Sequence, residues 1–216
     1  MAAKTKERLI RAGEALFRSQ GYSGTGLKQL ADDARAPWSS MYHFFPDGKE
    51  QMAVEILDYA AAYYARMLAR GFEARPDPLA AIDAIFSGEI EILKRSGFRD
   101  GCPIASVTLD TASTVEPLRK RCGEAFASWI RAIAQGIARA GVSEGEAAEL
   151  ATFVLSALEG AIVLSRASKS TAPLQRTARF VHQAVDASLK KARHSKPARR
   201  RARVGRAPSI RHAVPA

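Results

Sequence analysis

Between Thr25 and Phe45 the chain reads T-G-L-K-Q-L-A-D-D-A-R-A-P-W-S-S-M-Y-H-F-F. Trp38, Ser39 and Ser40 are short or planar enough to approach the edges of nucleic-acid bases closely. Tyr42 and His43, one turn further on, offer a hydroxyl and an imidazole N–H that can donate to phosphate oxygens. Thr25 and Lys49 stand near the starts of expected helices, where backbone N–H groups already favour a phosphate, and Lys28 adds a further cation. The chemistry open to this set is contact with double-stranded DNA. Nothing in it has the spacing of a nucleophile–base pair, a metal-ligand cluster or a phosphate-cradling loop, so no catalytic, metal or cofactor residues are assigned and the chain is not expected to be an enzyme.

The elements that must carry these side chains follow from apolar periodicity. Leu9, Ile10, Ala12, Gly13, Leu16 and Phe17 form one stripe of a helix over 4–20, and Gly21 suits the left-handed position that ends it. Thr25 reads as the N-cap of a second, short helix carrying Leu27, Leu30, Ala31 and Ala34. Pro37 suits the start of a third, Trp38 to Phe44, ended by Pro46-Asp47-Gly48. Met41, Phe44 and Phe45 are expected to turn inward onto Leu16 and Phe17. A capped helix, a tight turn and a second short helix make a helix-turn-helix, whose second helix enters the major groove. Geometry alone also admits a purely structural pair of helices, with Tyr42-His43-Phe44-Phe45 as core.

Beyond Lys49 the helical pattern continues to about Arg70, then over Leu79–Arg95, Ile104–Ala112, Glu116–Ala140, 144–167 with a capping box at Ser143 and Glu146, and 173–191. No segment alternates with the two-residue period of a strand. The expectation is an all-α chain of about nine helices: a three-helix helix-turn-helix domain over 1–48 and a helical bundle over 49–192. Leu150 to Leu164 is strongly apolar but carries Glu159, and is read as a buried helix rather than a membrane span. The first residues lack the apolar core of a secretory signal, which points to a cytosolic location and no membrane partner. Cys102 and Cys122 read as small buried hydrophobes, with a redox pair as the lesser reading.

The net charge of +11 belongs mostly to one end. Residues 193–216 hold eight Lys/Arg and no Asp or Glu; without them 25 basic and 22 acidic residues remain, a net of +3. This Arg-, Pro- and Gly-containing tail is expected to be disordered. It supplies the rival to site-specific binding: a sequence-indifferent nucleic-acid binder driven by the tail alone.

The run A12-G13-E14-A15-L16-F17…G21-Y22…T25…L30-A31…A34…Y42-H43-F44-F45…K49-E50 resembles the N-terminal signature of the TetR family of one-component regulators. A shorter patch, G101-C102-P103-I104-A105, with L158-E159-G160-A161 further on, resembles the LmrA/YxaF-type branch. The resemblance implies an Ω-shaped homodimer that reads a palindromic operator and is released by a small effector. It assigns Thr25, Trp38, Ser39, Ser40, Tyr42, His43 and Lys49 to DNA contact. The chain departs from the family pattern at Arg35-Ala36-Pro37, where Gly-Val-Ser is frequent, at Ser39 in place of Gly, and at Trp38 in place of a polar or basic residue. The operator sequence is therefore not carried over.

In the C-terminal half, Leu155, Leu158, Gly160, Ile162, Phe180 and Ala184 are expected to form a twofold four-helix interface, with an ordinary monomeric core as the plainer reading. Tyr63, Met67, Phe86, Phe98, Phe126, Trp129 and Phe153 are the expected lining of a pocket for a largely apolar ligand, although plain packing accounts for such aromatics equally well. The family resemblance places residues 101–112 near the DNA-binding domain, which makes them the expected relay from that pocket.

Overall fold

The computed structural model describes residues 2–195. Among them are nine α-helices: α1 (Ala2–Gln20), α2 (Leu27–Asp33), α3 (Ser39–Phe44), α4 (Lys49–Ala74), α5 (Pro78–Arg95), α6 (Pro103–Thr111), α7 (Glu116–Arg139), α8 (Glu144–Ser168) and α9 (Ala172–Ser195). The all-α expectation holds, with boundaries within a few residues of those read from periodicity. Helix α9 extends through Arg193 and His194, so the boundary expected at 193 falls inside a helix. The expected disorder of the tail lies beyond the described residues.

Local chemistry fixes the helix ends. Gly21, at φ 71°, takes the left-handed position after α1. Asp77 accepts from the Leu79 N–H, with Pro78 as first helical residue of α5, and Ser143 accepts from the Glu146 N–H at the start of α8. The Cys102 sulfur accepts from the Ala105 N–H at the start of α6. One expected cap is corrected. Gly26, not Thr25, is the N-cap of α2, and no side chain caps that helix.

The first three helices pack through Leu9, Leu16, Phe17, Leu30, Ala31, Met41 and Phe45, all buried, while Phe44 is half-buried against the same core. Helix α1 then joins this unit to the rest by crossing α4 and α6. The crossing with α4 is close: a Cβ at Gly13 would collide with the Ile56 side chain. Helices α4, α7, α8 and α9 form the body of the bundle, with α5 on α9. Helix α8 is long and apolar enough to cross a membrane by length and composition. Its packing between α7 and α9 accounts for one apolar face, formed by Ala151, Leu155, Leu158 and Ile162.

Candidate nucleic-acid interface and effector cavity

The turn between α2 and α3 is pinned from α1. Arg8 donates from Nε to the Ala34 carbonyl at 3.0 Å and from Nη2 to the Arg35 carbonyl at 3.3 Å. Arg35 itself holds φ 49°, in the left-handed region that residues other than glycine seldom adopt. With the turn fixed, α3 presents Trp38, Ser39, Tyr42 and His43 to solvent; Trp38 is 45% exposed and Tyr42 64%. The Trp38 and Tyr42 rings meet edge to face at 5.5 Å, one helical turn apart, so the two large side chains hold each other's orientation. Lys28 is exposed on α2, and Ser40 is half-buried.

Lys49 opens α4, with its ammonium 4.4 Å from the Tyr22 ring centre. Burial lowers its pKa and the nearby Asp110 carboxylate partly restores it. The aromatic seat aims this cation, and Tyr22 was not among the expected functional residues. Thr25 does not reach this surface. It is 0% exposed, and its hydroxyl donates to the Gly21 carbonyl at 2.6 Å, so it fixes the end of α1 rather than meeting a phosphate. The other seven expected contact residues share the α2–α3 side or the start of α4.

The bundle holds a partly open cavity of about 40 Å³. Its apolar walls come from Met67 and Leu68 of α4, Ile85 of α5, Trp129 and Ile133 of α7, and Leu155, Leu158 and Ile162 of α8. Of the seven residues expected to line a pocket, only Met67 and Trp129 do. Tyr63 is exposed and stacks on Tyr59, Phe86 is buried in the core, Phe98 is half-buried in the loop after α5, Phe126 packs edge-on against Trp129, and Phe153 points to solvent. Large rings in a bundle are spent mostly on packing, and neighbouring helices decide which face the void.

The expected dimer residues need the same correction. Leu155, Leu158 and Ile162 face the cavity rather than solvent, because adjacent helical positions differ by about 100°. The outward stripe of α8 is instead Phe153, Gly160, Val163 and Leu164, continued on α9 by Phe180 at 66% exposure; Ala184 is half-buried.

The polar part of the cavity was not read from the sequence. Arg18 of α1, Tyr64 of α4, Glu89 of α5, Cys102 before α6 and Glu159 of α8 all line it. Arg18 donates from Nη1 to the Tyr64 hydroxyl at 3.1 Å, and that hydroxyl donates to Glu14 at 3.0 Å. Carboxylates of Glu14 and Asp100 each lie 3.9 Å from the guanidinium. Burial disfavours the charge on Arg18, but Tyr64, Glu14, Asp100 and Glu89 together hold its pKa above the ordinary value. Burial raises the Glu89 carboxyl, with Arg18 opposing. Glu159 is pushed up to about 7 by burial and by the charge of Glu89, against a hydrogen bond with Cys102. Its Oε2 is buried with no hydrogen-bond partner. The one signal for this group was Glu159 itself, a lone carboxylate inside the apolar run 150–164.

Cavity and DNA-binding helices are directly joined. The Gly101 N–H donates to the Arg18 carbonyl at 2.9 Å, and Arg166 of α8 donates to the carbonyls of Arg99 at 2.8 Å and Ser19 at 3.4 Å. At the other end of α6, Asp110 accepts from the Ser23 N–H at 2.6 Å.

Comparison with known proteins gives two family matches along the chain. Residues 9–56 match the family described as bacterial regulatory proteins, tetR family, and residues 78–180 match the C-terminal domain of LmrA/YxaF-like transcriptional regulators. The HTH-type transcriptional regulator LmrA of Bacillus subtilis (strain 168) is 34% identical over 170 residues, 79% of this chain and 90% of LmrA. The uncharacterized HTH-type regulator YxaF of the same organism is 33% identical over 170 residues, 79% of this chain and 89% of its own. The crystal structure of a TetR regulatory protein from Rhodobacter sphaeroides superposes with a TM-score of 0.74 at 26% identity, covering 82% of this chain and 96% of that one. With a helix-turn-helix held on α1 and an LmrA/YxaF-like helical domain behind it, the chain belongs to the TetR family of transcriptional regulators and is a DNA-binding regulator, not an enzyme.

Proposed function

We propose that the protein is a cytosolic repressor that binds a palindromic operator as a homodimer and is released by a small, largely apolar effector taken into the α4–α8 cavity. The observation that carries the reading is the physical continuity from cavity to recognition helix. Arg18 lines the cavity and belongs to α1, the helix whose Arg8 pins the turn before α3. An effector that moves Arg18 or the 101–103 segment changes the seat of α1, and with it the spacing of two recognition helices in a dimer. Release then requires only that the effector bind the displaced arrangement more tightly. Dimerisation is supported by the outward apolar stripe of α8 and α9, which a lone subunit leaves in water. In this reading Trp38, Ser39 and Ser40 meet bases, and Lys28, Tyr42, His43 and Lys49 meet the backbone.

The test is selection of bound DNA from a random library, run on the full chain and on a chain ending at Ser195. Both are expected to select the same inverted repeat. An unrepeated or featureless consensus, or selectivity that disappears with residues 196–216, refutes the reading in favour of a tail-driven binder.

A further inference from the structure

The cavity holds more negative charge than its one lining guanidinium answers. Arg18 already faces two carboxylates outside the void, Glu14 and Asp100 at 3.9 Å each, and donates to Tyr64 on the cavity wall. Two more carboxylates, Glu89 and Glu159, then line the same space from α5 and α8. Glu159 Oε2 is cut off from solvent and accepts no hydrogen bond. A buried acceptor left without a donor is costly, and a carboxylate more so than a neutral group. The neighbouring walls are apolar and aromatic: the Tyr64 and Trp129 rings meet edge to face at 5.5 Å beside Leu155 and Ile162. Aromatic faces favour cations over anions.

We propose that the effector carries a cationic hydrogen-bond donor, such as a protonated amine, that seats against the carboxylates of Glu159 and Glu89 while its flat apolar frame, larger than the 40 Å³ void, parts the walls at Trp129 and Leu155. This deepens the reading of the cavity as an effector site and rests on it. The amine N–H donates to Glu159 Oε2, supplying the missing partner, and the ligand charge balances the excess carboxylate. Such a ligand also lies beside Arg18, so like-charge repulsion pushes on α1 from within the cavity. The rival is an anion drawn to Arg18, whose Nε also lacks a hydrogen-bond partner. The charge count opposes it: an anion would add to the three carboxylates, Glu14, Asp100 and Glu89, already acting on one guanidinium.

Three probes of one size and different charge separate these cases: benzylamine, benzyl alcohol and benzoate, each titrated calorimetrically into the full-length protein. At about pH 8 benzylamine is expected to bind at least about tenfold more tightly than the other two. Glu159→Gln is expected to remove most of that advantage while leaving benzyl alcohol within about twofold, with Glu89→Gln giving a smaller loss in the same direction. The preference for the amine is expected to narrow toward about pH 6, as Glu159 gains a proton among Glu89, Cys102, Arg18 and Tyr64, the other ionisable groups of the lining. Equal binding of amine and alcohol, preference for benzoate, or no binding by any of the three overturns the proposal, and the wild-type series decides it even where a variant fails to fold. Operator affinity measured alongside keeps the two readings apart. Amine binding with the expected selectivity but unchanged operator affinity upholds the cation seat and refutes release by effector.

Discussion

Glu159 sits where a charged group is least comfortable, and the cost has a definite pH signature. Burial and the Glu89 charge raise its folded pKa to about 7, whereas an unfolded-chain glutamate titrates near about 4.3. Between those values the folded protein binds a proton that the unfolded chain does not. Stability contributed by the neutral form is therefore complete below about pH 4 and is lost as pH rises through about 7. The shift corresponds to about 3–4 kcal/mol. Glu159→Gln should accordingly raise the melting temperature at about pH 8 by about 4–8 °C and leave it nearly unchanged at about pH 5. Thermal unfolding followed by circular dichroism at both pH values checks this. An equal effect at the two pH values means that ionisation is not the source. The residue was visible in the sequence as one acid in an apolar helix, but only as an anomaly. Its meaning came from Cys102, Glu89 and Arg18, which lie on three other parts of the chain and which no local pattern brings together. Thr25 shows the opposite case. Its type and place before a helix fit a surface cap, yet the buried turn at Gly21 captured its hydroxyl.

At the level of elements, α6 is the connector. It begins beside the cavity at Cys102 and Pro103 and ends at Asp110 against Ser23, so nine residues span about 13 Å from cavity to DNA-binding unit. Asp110→Ala removes the acceptor for the Ser23 N–H, a bond to a charged group worth about 1.5 kcal/mol. Hydrogen exchange at Ser23 is expected to speed up by about tenfold, with little change at Leu9 or Phe17 in the α1 core. Asp110→Asn, which keeps an acceptor, is expected to restore most of the protection. Exchange unchanged in Asp110→Ala would show that α6 does not hold the 21–24 turn. Helix positions were legible because amphipathic stripes such as Leu9–Gly13–Leu16 and Leu118–Cys122–Ala125 repeat at the helical period. Phase was harder in α8. Its residues 150–164 are apolar almost all round, so Leu155 and Phe153 look alike in sequence; only α7 and α9 decide that one faces the cavity and the other water.

For the whole molecule, in the proposed dimer, the outward side of α8 and α9 would govern whether one helix-turn-helix or two can meet the DNA. Leu164 is 61% exposed, and Phe153, Val163 and Phe180 are exposed apolar side chains on the same two helices. A single subunit reads one half-site. Tethering two converts the second contact into an intramolecular event and gains about a hundredfold or more in affinity without any new protein–DNA contact. Replacing both Leu164 and Phe180 by Asp puts two like charges into that face on each subunit. Both side chains are solvent-exposed in one subunit, so the subunit fold should lose no more than about 0.5 kcal/mol per site. The variant is therefore expected to keep its helical circular dichroism, sediment as a monomer at micromolar concentration, and bind the selected operator about a hundredfold more weakly, with no remaining benefit from a second half-site. A variant that still sediments as a dimer places the interface elsewhere. One that is monomeric yet binds the full operator as tightly as the parent shows that pairing across α8 and α9 does not set operator affinity.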